Sequence, residues 1–140
     1  MEPTLIKDYV DSGKVTIVYK HSAFLGQESV WAAQAAECAA DQGKFWQYHD
    51  TLFLNQHGEN QGAFSRDRLK QIAKDLGLDT AKFNQCLDSG QHDTDVKNSS
   101  DSATALGFPG TPAFLLNGQK YSYTNYNSLK AAIEAALAKQ

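Results

Sequence analysis

Thiols and imidazoles are the side chains best suited to redox, nucleophilic or metal chemistry near neutral pH. This sequence holds two cysteines, Cys38 and Cys86, and four histidines, His21, His49, His57 and His92. No Cys-x-x-C occurs anywhere in it. Dithiol exchange needs an attacking thiolate of lowered pKa, commonly at a helix N-terminus, and a second thiol close enough to resolve the mixed disulfide. Cys38 falls inside a predicted helix among alanines. Cys86 falls near the end of another, where the helix dipole disfavours a thiolate. Neither has the setting of a nucleophile, so no catalytic residue is assigned. Two cysteines so far apart in sequence are too few for a four-ligand zinc site, and no two histidines stand four residues apart with a third ligand near, so no metal is expected. His21 follows a predicted strand, where it can lie near a functional face, and His49 sits among aromatics on a predicted helix. His57 lies in a polar loop. His92 precedes Asp93 and Asp95, which with Asp101 read as a solvated helix face. There is no Gly-x-Ser-x-Gly, P-loop or dinucleotide fingerprint, and no cofactor is expected.

The elements that must position these residues belong to a chain of 140 residues, the size of one domain. Its hydrophobic fraction of 41% and aromatic fraction of 11% are those of a globular protein. Thirteen basic against sixteen acidic side chains give a net charge of −3. That argues against a nucleic-acid partner, which requires a basic stripe to displace counterions from phosphates. No apolar run approaches the roughly 18 residues of a membrane span, and the N-terminus lacks the basic, apolar, small-residue order of a signal peptide.

Leu5, Ile6, Tyr9 and Val10 repeat at helical spacing between Pro3 and Gly13, a short helix that reads like the back half of something longer. Residues 14–20 predict a strand. Val15, Ile17 and also Val18 are apolar, which suggests an interior strand covered on both faces. Residues 29–55 are helical, broken near Gly43, with Ser29 as N-cap. After a polar loop at 56–63, Ser65 and Asp79 each cap a helix. Phe64 with Leu69, and Leu78 with Phe83, are spaced as hydrophobic staples. Gly77 and Gly90 end these helices, and a polar helix follows at 91–106. The segment from Gly107 through Phe108, Pro109 and Gly110 to Thr111 and Pro112 cannot be helical. Residues 113–116 and 119–124 then form a hairpin around Asn117-Gly118, and an amphipathic helix closes the chain with Leu129, Ala132, Ile133, Ala136 and Leu137. Two strand regions separated by helices give an α/β fold with a helical insertion at 28–106 within a single domain at 1–140.

In this order the segments EPTLIKDYVDSGKVTIVYKH, ESVWAAQAAECAADQGKFWQYHDTLF, FSRDRLKQIAKDLGLD, FNQCLDSG and ALGFPGTPAFLLNGQKY resemble the DsbA-like thioredoxin-fold oxidoreductases. The resemblance runs from about Pro3 to Leu137. It implies an incomplete, N-terminally truncated thioredoxin-like fold, because in that family a strand and a Cys-x-x-C helix start precede the helix that ends near Gly13. It implies a cis-proline at Thr111-Pro112, beside which an extended substrate peptide pairs with the backbone. The alternative there is a turn that merely starts a strand. It also implies two inserted helices packed together with a cysteine on each. Cys38 and Cys86 then form a structural disulfide, the alternative being two buried free thiols.

The functional expectation is the C-terminal portion of a thiol:disulfide oxidoreductase that is not redox-active alone. The alternative is a non-enzymatic peptide-binding or self-associating protein. Its partner is an extended peptide or protein substrate, in an extracytoplasmic setting if the family's holds. The family's central strand would lie between the strands at 14–20 and 113–116. Without it two edges are left unpaired, and a homo-oligomer formed by strand or helix exchange is expected.

Overall fold

The computed structural model describes residues 2–108, 110–122 and 125–139. The chain divides into two compact units: Lys20–Gly107, and a second made of Met1–Tyr19 with Phe108–Gln140. No helix among the described residues is long and apolar enough to cross a membrane.

In the first unit the helices are α2 (Gln27–Ala40), α3 (Phe45–Leu54), α4 (Arg66–Asp75), α5 (Thr80–Ser89) and α6 (Asp93–Ala105). Its core joins Ala35, Ala36, Cys38 and Ala39 of α2 with Tyr48, Leu69, Ile72, Phe83 and Leu87. The alanines of α2 let the neighbouring helices approach closely, and the large side chains of α3, α4 and α5 fill the space above them. Tyr48, fully buried, donates its hydroxyl to the Leu69 carbonyl at 2.8 Å, and its ring lies 5.5 Å from that of Phe83. Asp79 caps α5 by accepting from the Lys82 amide at 3.1 Å, and Gly90 ends it in the left-handed region. On α6 Val96 is buried, and the expected polar helix is otherwise half-buried or exposed.

Two caps differ from expectation. Helix α2 starts at Gln27 after Gly26, not after Ser29. The cap comes from across the loop: the Glu28 amide donates to Asn60 Oδ1 at 3.3 Å, and Asn60 Nδ2 donates to the Leu25 carbonyl at 2.8 Å. A Cβ on Gly26 would collide with the Asn60 side chain, and its φ of +88° also requires glycine. The Glu28 carboxylate completes this junction by accepting from the amides of Gly62 and Phe64 at 2.7 and 3.0 Å. Ser65 stands at the N-cap position of α4, but its side chain makes no capping bond.

The second unit opens with α1 (Glu2–Leu5), which widens into a π-helical turn at Ile6–Val10. The strands β1 (Phe114–Leu116) and β2 (Gln119–Tyr121) pair antiparallel, Phe114 opposite Tyr121 and Leu116 opposite Gln119. Asn117 and Gly118 both take positive φ, as a two-residue turn demands. Helix α7 (Tyr126–Leu137) begins with a reciprocal cap between Asn125 and Ser128. Leu5, Tyr9, Leu129 and Ile133 form the core, with Val15, Ile17, Phe114, Leu116 and Tyr121 packed against it.

The strand expected at 14–20 is not formed: this stretch carries no ladder, and the described sheet has two strands, β1 and β2. Val15 and Ile17 still turn toward the core, but Val18 is 73% exposed rather than covered. Alternating apolar residues choose which side chains face inward, whereas a strand exists only where a neighbour takes its amides and carbonyls. The return strand ends at Tyr121, short of the expected limit. Thr124, that limit, and Pro109 of the loop lie outside the described residues.

Two phenol–carboxylate bonds clamp this unit. Tyr9 donates to Glu134 and Tyr126 to Asp8, each at 2.6 Å. The bond to Glu134, assisted by burial and the carboxylate charge, pushes the Tyr9 pKa up to about 12. The bond to Asp8 does the same for Tyr126, also to about 12. A raised pKa means the folded state holds the proton more tightly than the unfolded chain. This stabilisation is therefore complete below the ordinary tyrosine value of about 10 and is lost as pH rises through 12. Phenolate absorbance is expected to show these two side chains titrating late, and Tyr9→Phe is expected to remove one late step. A Tyr9→Phe profile identical to wild type would contradict the assignment.

Candidate functional site

In the sheet-bearing unit Thr111 and Pro112 lead directly into β1, and the peptide bond between them is cis. Both residues are exposed, as are Gly110 and Ala113 around them. Among the described residues β1 pairs with β2 alone, so its other edge has no ladder partner. An accessible loop running into an unpaired strand edge can take an extended peptide by main-chain hydrogen bonding.

In the helical unit Cys38 and Cys86 are bonded to each other, joining α2 to α5 with their Cα atoms 5.9 Å apart. Neither is a free thiol, and both lie within the buried core, at 1% and 5% exposure. A disulfide this enclosed is poorly placed for attack by a large thiolate partner, which fits a structural bridge.

The surroundings of that bridge were not legible in the spacing of the cysteines. Asp41, the residue that ends α2, places Oδ2 2.8 Å from His92 Nε2 and 3.8 Å from the Cys86 sulfur. The same oxygen accepts from Gln91 Nε2 at 3.0 Å. The other ring nitrogen of His92 faces Asp95 Oδ2 at 3.4 Å. One ring nitrogen of His92 and both sulfurs lie within 4.8 Å of one another. Burial pulls the His92 pKa down, but the bonds to Asp41 and Asp95 and the nearby carboxylate charges outweigh it and hold the value above that of an ordinary histidine. Asp95 thus belongs partly to this cluster, while Asp93 receives a 2.6 Å bond from the buried Gln34 and Asp101 pairs with Lys97 on the α6 surface. The available sequence signal was Asp41 three residues after Cys38, one helical turn along the same face.

The remaining histidines separate. His21 is buried; its Nε2 meets Glu37 Oε1 at 2.7 Å, and its backbone carbonyl accepts from Ser99. Burial lowers its pKa, against the opposing pull of Glu37. His49 is buried among Phe45, Trp46 and Phe53, with ring centroids 5.9, 5.5 and 4.7 Å away. His57 is exposed in its loop.

An exposed Thr111–Pro112 loop opening a hairpin strand, with a helical unit carried in the chain between the two halves of the sheet unit, defines a thioredoxin-like α/β protein of the DsbA kind. A family described as thioredoxin matches residues 1–135. The crystal structure of oxidised BdbD from Bacillus subtilis superposes with a TM-score of 0.86 at 26% identity, covering 97% of this chain and 76% of that one. A probable disulfide bond formation protein D of Bacillus anthracis is 30% identical over 98% of this chain. A putative protein-disulfide oxidoreductase of Rickettsia felis is 30% identical over 99% of it. The chain belongs to the thioredoxin family, in its DsbA-like branch. It spans 64% of the length of the Bacillus anthracis relative and 50% of the Rickettsia one.

Proposed function

We propose that this chain is the substrate-docking and helical portion of a DsbA-like thiol:disulfide oxidoreductase and that it does not turn over disulfides with its own cysteines. The observation that carries the reading is the pairing of Cys38 with Cys86 in the helical core, which leaves no free cysteine. A thiol exchange catalyst needs one accessible thiolate and one resolving sulfur near it. The substrate is an extended protein segment that hydrogen-bonds beside Thr111 and Pro112. Relatives named for disulfide bond formation and protein-disulfide oxidoreduction support that class. In an insulin-reduction assay the purified chain is expected to match the rate of the reductant alone. Catalysis above that rate, abolished by Cys38→Ser or Cys86→Ser, would overturn the reading.

A second reading, a self-associating or peptide-binding protein without enzymatic role, draws on the unladdered 14–20 stretch and the exposure of Val18. On either reading the chain is a homo-oligomer joined through these edges. Light scattering at micromolar concentration is expected to give at least the dimer mass, and a sharp monomer peak would refute the association.

A further inference from the structure

Both sulfurs of the bridge and a His92 ring nitrogen, all within 4.8 Å of one another, meet at one corner of the helical unit, with Asp41 Oδ2 beside His92 and Cys86 at 2.8 and 3.8 Å. They come in two pairs from two helix ends: Cys38 and Asp41 from the end of α2, and Cys86 and His92 from either side of the turn at Gly90. We propose that Cys38, Cys86, His92 and Asp41 form a tetrahedral site for a zinc-class divalent cation, open to the metal when the Cys38–Cys86 disulfide is in its dithiol form.

The donor set selects the metal. Two thiolates and an imidazole favour zinc and disfavour calcium and magnesium, which take oxygen ligands. The geometry is near what the ion requires. Ligands about 2.0–2.3 Å from zinc at tetrahedral angles lie roughly 3.3–3.8 Å apart. Asp41 Oδ2 is already 2.8 Å from His92 Nε2 and 3.8 Å from the Cys86 sulfur. The sulfurs and a His92 nitrogen already fall within 4.8 Å of one another. Opening the sulfur–sulfur bond frees the two strongest donors, and the cation takes the place of the proton shared by His92 and Asp41. Outer partners are also in place. Asp95 lies 3.4 Å from the other His92 nitrogen and can fix its tautomer, and Gln91 donates to Asp41. Both sulfurs are buried, whereas the Asp41 side chain is 44% exposed and opens a path from solvent.

The chemistry balances with a dithiol reductant. The reductant gives up two electrons and two protons and leaves as a cyclic disulfide, while Cys38 and Cys86 become thiols. Zinc then displaces both thiol protons, and coordination occupies the sulfur lone pairs that reoxidation needs. Disulfide and metal are thus mutually exclusive ties between α2 and α5.

The test is titration of the full chain with cobalt(II), then zinc, after removal of the dithiol reductant under anaerobic conditions. The expected result is one cobalt per chain, with the thiolate-to-cobalt charge-transfer band and the visible bands of a tetrahedral ion, both erased by zinc. The oxidised chain should show neither. His92→Ala should weaken binding at least about ten-fold, the loss typical of disturbing a metal's ligand shell, while still forming the disulfide on oxidation. If reduction unfolds the helices, zinc must restore their circular dichroism. The proposal is overturned by a reduced chain that neither binds cobalt nor refolds with zinc. Equal binding by His92→Ala, or by the oxidised chain, overturns it as well.

Discussion

The Cys38→Ala/Cys86→Ala double variant is expected to lose about 4 kcal/mol of unfolding free energy, because the bridge closes a loop with a sequence separation of 48. That is a large share of the roughly 5–15 kcal/mol that holds a domain folded. The mechanism acts mainly on the unfolded chain, which gains conformations once the tie between α2 and α5 is gone. Urea unfolding should therefore show a lower midpoint and a steeper dependence on denaturant, as the denatured ensemble exposes more surface. Wild-type protein held in a reductant and a chelator should behave like the variant. A loss below about 1 kcal/mol would mean that helix packing alone fixes this junction and that the bridge adds little.

Phe83→Ala is expected to cost a further class of stability, about 3–5 kcal/mol, by leaving a cavity where no neighbour can follow. Phe83 is fully buried between α2, α3 and α4 residues, against Tyr48 at 5.5 Å. Tyr48 in turn is held by its bond to the Leu69 carbonyl. Tyr48→Phe should cost about 0.5–1.5 kcal/mol, the net worth of one hydrogen bond, since that carbonyl lies within α4 and keeps its helical donor. Leu54→Ala, at a side chain 82% exposed, should change stability by less than about 0.5 kcal/mol. Thermal and urea denaturation of the three variants give the ranking. A Phe83→Ala loss no larger than that of Leu54→Ala would show that the core does not depend on this ring.

Several elements were legible because each depends on a few adjacent residues. Asp79 caps α5 through its own side chain, Gly90 supplies the left-handed end, and Asn117-Gly118 turns the hairpin. Leu78 and Phe83, spaced as a staple, are both buried in the helical core. The failures have the opposite character. The start of α2 is set by Asn60, over thirty residues away, so Ser29 looked like the cap when only neighbours were considered. Residues 14–20 carry the side-chain alternation of a strand, yet the ladder that would make them one depends on a partner that local pattern cannot supply.

From the sequence alone came the absence of Cys-x-x-C, the Thr111–Pro112 loop and, through resemblance, the DsbA-like fold with its paired cysteines. These follow from residue identity and short-range backbone preference, which survive in any context. Tertiary structure alone decided what surrounds the bridge. Cys38 and Asp41 lie about fifty residues from Cys86 and His92, and only the close approach of α2 to α5 across small alanine side chains brings a His92 nitrogen within 4.8 Å of both sulfurs and Asp41 to 2.8 Å from His92. Side-chain chemistry is written residue by residue, but the distance between two reactive atoms is a property of packing.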